Sequence, residues 1–134
     1  MVLIYNVLFT KVKGAVLVEV PDLDILTEGK NMQDAIYMAR DAIGATILSM
    51  KDHNIKIPKL SKSLNVKKGA FVKKGPTIVS VVDIDIDEYE AKHDNKMIRR
   101  NVTIPHWLNE KAKKFKINVS KVVQEALKDK IAVL

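Results

Sequence analysis

The chain has 134 residues, no cysteine, and 23 Lys+Arg against 16 Asp+Glu for a formal charge of +7. That length holds one ordinary domain, or a domain of about 85–95 residues with an appendage, and the lack of cysteine excludes a disulfide scaffold and fits a reducing cytoplasm. No apolar run approaches the ~20 residues needed to span a bilayer, and MVLIYNVLFT lacks the basic flank and cleavage site of a secretion signal, so a soluble cytoplasmic protein is predicted.

The charge is not spread evenly. Residues 96–134 hold ten Lys+Arg and three Asp+Glu, a surplus of seven, while residues 1–95 hold thirteen of each and are neutral. Such a division predicts two modules with different partners, the basic one suited to nucleic acid.

In chain order, residues 2–10 and 15–20 are β-rich runs separated by Lys11-Val12-Lys13-Gly14, where Gly14 can take the positive φ of a tight hairpin. Pro21, without a backbone donor, ends the second strand, and a short third strand is expected at Ile25–Thr27. Asn31 is a good N-cap with Asp34 at the third helical position, near the positive end of the helix dipole. Behind it Met32, Ile36, Ala39, Ile43, Ile47 and Met50 repeat at spacings of three and four, the stripe of a helix lying on a sheet. Residues 51–76, Lys-rich with Pro58, Gly69, Gly75 and Pro76, read as a long loop around a weak strand near Asn65–Val72.

The strongest strand signal is Thr77–Asp87. Its end alternates Val82, Ile84 and Ile86 with Asp83, Asp85 and Asp87, which predicts apolar and carboxylate faces. Carboxylates ~7 Å apart on a strand could bridge divalent cations, so a metal-dependent nuclease on Asp83, Asp85 and Asp87 is one alternative function. A calcium loop is excluded, since Glu88 stands where its turn needs Gly and Asp94 where it needs a bidentate Glu. Mutual repulsion favours an exposed strand end over a buried site, and His53, His93 and His106 show no metal or catalytic spacing. No metal site, catalytic residue or cofactor is therefore assigned. Residues 88–97 are charged and lack an apolar period, which predicts a linker or short exposed helix.

In the tail, Val102 and Ile104 alternate with Arg99, Asn101 and Thr103, giving one face to pack and one free to read base edges. Arg can bond guanine bidentately, Asn adenine, and Thr a base edge or a thymine methyl. A lone short strand needs a partner, and pairing with its twin gives a two-stranded ribbon that fits the ~12 Å major groove. Pro105 is expected to open a helix carrying Trp107, Leu108, Ala112 and Phe115, and Ser120 to cap a second carrying Val122, Val123, Ala126, Leu127 and Ile131. Asn118, Ser120 and Lys121, at that helix's positive end, are candidate phosphate contacts. A segment under roughly 40 residues rarely folds alone without a disulfide, metal or partner, so a dimer is predicted.

Strand, Pro and two helices in this order resemble the ribbon-helix-helix repressors over residues 99 to about 130. The front half is similar to HicB-family antitoxins: Tyr5–Phe9 as Y-x-V/A-L-F, Val18–Leu23 as V-x-V/F-P-D-L, Thr27–Gly29 as T-x-G, and Ala35–Ala42 within a helix rich in A-x-x-x-A. The resemblance, which extends to NVTIPHWL in the tail, implies an α+β protein. Residues 1–87 would be a partial ribonuclease H-like domain, an antiparallel sheet with one packed helix, that binds a HicA-like toxin. Residues 88–97 would be a linker, and residues 98–134 a dimeric ribbon-helix-helix domain on double-stranded operator DNA. It further implies that the toxin cleaves mRNA, that the antitoxin neutralises it without catalysis of its own, and that it represses its own operon as a homodimer or higher oligomer away from membranes. No toxin-contacting residue is assigned. A stand-alone ribbon-helix-helix repressor whose front domain senses a ligand is the other alternative.

Overall fold

Alternating aliphatic residues at the start of the chain form β1 (Val2–Val12), which turns through Lys13-Gly14, with Gly14 at φ +77°, into β2 (Ala15–Val20). The computed structural model describes residues 1–94 and 96–134. After Pro21–Leu23 makes one 3-10 turn, β3 (Ile25–Gly29) pairs antiparallel to β2, and α1 (Met32–Asp52) follows. Asn31 caps α1 as expected: its side chain accepts from the Asp34 amide at 2.9 Å, while Asp34 accepts from the Lys30 amide at 2.8 Å. The strand β4 (Thr77–Asp85) then returns antiparallel to β1, giving a four-stranded sheet in the order β3-β2-β1-β4.

α1 covers one face of this sheet. Tyr5, Val7, Phe9, Val16, Val18, Val20, Val82 and Ile84 meet Ala35, Ala39, Ile43 and Ile47, with Met32, Ile36 and Met50 partly buried at the margin. Burial of this kind contributes about 25 cal/mol per Å² of apolar surface, the main term holding the unit together.

The opposite face is covered along β1 and β2 by residues 61–76, held by hydrogen bonds from Asn6 Nδ2 to the Ser61 carbonyl (3.3 Å) and the Ala70 amide to Glu19 (2.6 Å), while Tyr5 Oη of the core donates to the Pro58 carbonyl (2.7 Å). The strand expected near Asn65–Val72 is absent: Val66–Lys68 and Val72–Lys74 are 3-10 turns. This segment adds no strand to the sheet, whose order is β3-β2-β1-β4, and lies across its face instead.

One further expectation needs correction. The last strand stops at Asp85, not Asp87, because the Asp85 carboxylate accepts from the amides of Asp87 (3.1 Å) and Glu88 (3.3 Å) and so caps a helix, α2 (Ile86–His93). Of the two forms expected for residues 88–97, a linker or a short exposed helix, the helix is found up to His93; Asn95 lies outside the described residues. α2 packs on α1 through Tyr89, whose ring occupies the space above Gly44; a Cβ there would approach the ring to 2.7 Å. Tyr89 also donates to Asp41 (3.1 Å to Oδ1) and stacks on His93 at 4.0 Å. Burial, and then Asp41, hold its phenol above the ordinary pKa.

The chain divides into two compact units, Met1–Asn95 and Lys96–Leu134. The second consists of a stretch without regular secondary structure, then α3 (His106–Lys114) and α4 (Val119–Ala132). No helix of the described residues is long and apolar enough to cross a membrane.

Candidate functional site

Asp83 and Asp85 alternate with the buried Val82 and Ile84 on β4 as expected, but Asp87 lies on α2. Arg40 of α1 donates to the Asp83 carboxylate at 3.0 Å and to its carbonyl at 3.2 Å. Asp85 is the cap of α2, and Asp87, on α2, accepts from the Met1 amino group, which lowers its pKa. Each carboxylate thus has its own partner. Among the described residues no three His, Asp or Glu side chains are gathered so as to hold a metal ion. Beside them lies an open cleft of about 510 Å³ with Tyr37, Arg40, Asp41, Glu88 and Tyr89 in its walls.

The basic unit is built differently. Arg99, Asn101 and Thr103 are exposed in a segment with no regular secondary structure, so the strand expected at Arg99–Ile104 is not formed in a single copy, which has no neighbouring strand there to bond it. Pro105 sits one position earlier than expected, at the N-cap of α3, with φ −58° and ψ 144°. Lys111 places its ammonium 5.6 Å from the Trp107 ring centroid.

α3 ends in a Schellman motif made without glycine. The Ile117 amide donates to the Ala112 carbonyl (2.9 Å) and the Lys116 amide to that of Lys113 (3.1 Å), with Lys116 held at φ +54°. These two bonds satisfy carbonyls that a helix end leaves open. The left-handed residue turns the chain so that Asn118 arrives extended (φ −78°, ψ 96°) and accepts from the Lys121 amide at 3.1 Å. Asn118, not Ser120, is therefore the N-cap of α4, and Ser120 is its second residue. Asn118, Ser120 and Lys121 come together at the positive end of α4, all exposed, with the Asn118 carbonyl side oxygen committed to the cap.

No residue of this unit is buried, although it carries Trp107, Leu108, Phe115, Ile117, Val122, Leu127 and Ile131. Sequence reading predicted the helices and the candidate contacts. It missed Arg40 and Tyr89 as the groups that organise the acidic strand end, and only the isolated Gly44 within the α1 pattern hinted that a bulky side chain packs there.

A four-stranded antiparallel sheet under one helix, continued by a basic two-helix unit, is the fold of solved bacterial antitoxins. One chain of a toxin-antitoxin complex from Streptococcus pneumoniae superposes with a TM-score of 0.57 at 21% identity, over 97% of this chain and 99% of that one. The antitoxin HicB3 gives 0.51 at 22% identity, over 96% and 98%, and the Burkholderia pseudomallei antitoxin HicB gives 0.50 at 20%, over 95% and 98%. A search of curated proteins found no match. The chain belongs to the HicB-like antitoxins of bacterial toxin-antitoxin systems, whose family model matches residues 5–126.

Proposed function

We propose that this antitoxin neutralises a HicA-like, mRNA-cleaving toxin in the cytoplasm through its front domain, residues 1–87 with α2 packed behind them. We further propose that it represses its own operon through residues 98–134, with no catalysis of its own. In the tail, two copies pair their 99–104 segments into a ribbon and bury the helix stripes between them. Arg99, Asn101 and Thr103 then face base edges in the major groove, while Asn118, Ser120 and Lys121 lie along the phosphates at the N-terminus of α4.

The observation that carries the DNA-binding part is the conjunction in one small unit of a net charge of +7, an exposed segment in which Arg99, Asn101 and Thr103 alternate with apolar residues, and an apolar stripe left exposed in the single copy. Charge alone would suit any polyanion. Charge with that alternation and an uncovered stripe fits a dimer that reads a two-fold symmetric site.

The test measures binding to the chain's own promoter fragment and to scrambled DNA over a salt series. Arg99→Ala should cost about 1–3 kcal/mol on the promoter and relax sequence preference, whereas Lys121→Ala should weaken both DNAs alike and flatten the salt slope by about one. Equal losses on both DNAs for Arg99→Ala would rule out base reading. For the toxin, co-expression with the adjacent small basic reading frame should yield a complex through residues 1–94, and growth arrest by that frame should be relieved.

A further inference from the structure

The front unit is neutral only as an average. Residues 53–82 hold seven Lys and no Asp, Glu or Arg, which leaves six Lys+Arg against thirteen Asp+Glu for the rest of residues 1–95. Five of the seven fall in the segment 61–76 that lies across the sheet face away from α1. A surplus nearly as large as that of the tail is thus concentrated on one face.

Four of these lysines are presented by a repeat. Val66-Lys67-Lys68-Gly69 recurs six positions on as Val72-Lys73-Lys74-Gly75, and both copies contain a 3-10 turn. The two turns touch each other. In each, the valine is half-buried and both lysines are exposed. The glycines let the backbone lie close on the sheet: a Cβ at Gly69 would stand 2.9 Å from the Leu8 side chain, and one at Gly75 2.1 Å from the Lys11 carbonyl oxygen. The nearby acids of the sheet side are occupied by backbone, Glu19 accepting from the Ala70 amide at 2.6 Å and Asp22 from the Ser61 amide at 3.0 Å. Among the described residues, none of Lys67, Lys68, Lys73 and Lys74 forms an ion pair.

We propose that this lysine face holds the phosphate backbone of duplex DNA without reading its sequence, a second contact added to that of the tail. It extends the DNA-binding reading to the front unit and does not depend on which tail residues meet bases. The chemistry of the face selects the partner. An ammonium is a point charge that suits phosphate, whereas planar bidentate recognition of bases or carboxylates calls for arginine, which this segment lacks. Lysine is also depleted at protein interfaces. Phe71, the one aromatic residue of 61–76, is half-buried, so the face has no platform for the unstacked bases of a single strand. A duplex carries about one negative charge per ~1.7 Å of its axis, so paired ammonium groups on a fixed platform meet phosphates in any register.

The test follows binding of the full-length protein to a long scrambled duplex over a salt series. Each lysine that neutralises a phosphate adds about 0.9 to the salt slope, so Lys67→Ala with Lys68→Ala, or Lys73→Ala with Lys74→Ala, should flatten it by about two. Lys67→Arg with Lys68→Arg should keep the wild-type slope, since only charge is used. Lys51→Ala with Lys92→Ala removes the same charge from α1 and α2 and should also leave the slope unchanged. Base reading by the tail is scored separately, by the promoter preference of Arg99→Ala, and can fail while the front slope stands. A wild-type slope for both alanine pairs at the repeat, or equal flattening by the Lys51 and Lys92 pair, overturns the proposal. So does a wild-type slope with loss of toxin capture, which would assign the face to the protein partner, or with loss of binding to phosphatidylserine vesicles, which would assign it to a lipid surface.

Discussion

In the front unit the stripe of α1 vanishes into the sheet, with Ala35, Ala39, Ile43 and Ile47 all at 0% exposure. In the tail the corresponding stripe of α4 stays open, with Val122 at 50%, Leu127 at 58% and Ile131 at 66%. Both helices are amphipathic with the same three-and-four spacing, so the periodicity alone does not separate them. The difference lies in what each has to pack on: α1 meets all four strands, while α4 has only nine-residue α3 and an irregular stretch beside it in its own unit. An apolar stripe without a sheet behind it is a surface waiting for another chain.

The sharpest way to break this comparison is to cut the same kind of side chain from each stripe. Ile43→Ala should cost about 2–5 kcal/mol of unfolding free energy, since it leaves a cavity in the core between α1 and the sheet. Denaturant titration should give the same loss at every protein concentration. Leu127→Ala should instead act through association, raising the tail's dimer dissociation constant about ten-fold for a loss of roughly 1.4 kcal/mol, with the front unit's transition unmoved. A concentration-independent loss for Leu127→Ala would mean that the tail is already complete in one copy.

Smaller effects sharpen the local account of the tail. Asn118→Ala removes the cap from the Lys121 amide and should cost about 1 kcal/mol, whereas Ser120→Ala should change stability little. The two variants, compared by thermal melting, decide which residue caps α4. Lys116→Gly should stabilise by about 0.5–1 kcal/mol, because the left-handed conformation at φ +54° is strained for any residue with a Cβ. A lowered melting temperature for that variant would show that the Lys116 side chain makes a compensating contact.

Much of the front unit was legible residue by residue. The hairpin turn at Gly14, the break at Pro21, the Asn31 cap and the stripe of α1 each rest on interactions within one turn or one tight loop. The charge division was equally legible and marks the boundary of the two units within a few residues. The acidic strand end was not. Alternation of Val82, Ile84 and Ile86 continues into the buried first residue of α2, so period-two reading carries past the point where Asp85 turns the chain into a helix. The capping bond overrides the pattern there. A similar contest decided α4, where Asn118 and Ser120 are both good caps and the Schellman turn at Lys116 selects the first of them.

The amino-acid sequence by itself determined the periodicities, the turns, the net charge of each module and the family, because these depend on residues near one another or on composition. Which strands are neighbours was decided only when the chain folded. β4 lies beside β1 although sixty-four residues lie between Val12 and Thr77, Arg40 reaches Asp83 forty-three positions further on, and residues 61–76 lie over the face instead of joining the ladder. Strand pairing is a competition for edges, and its outcome depends on every segment able to fill one. The open edge of β4 and the uncovered stripe of α4 are what remains once that competition within a single chain is over.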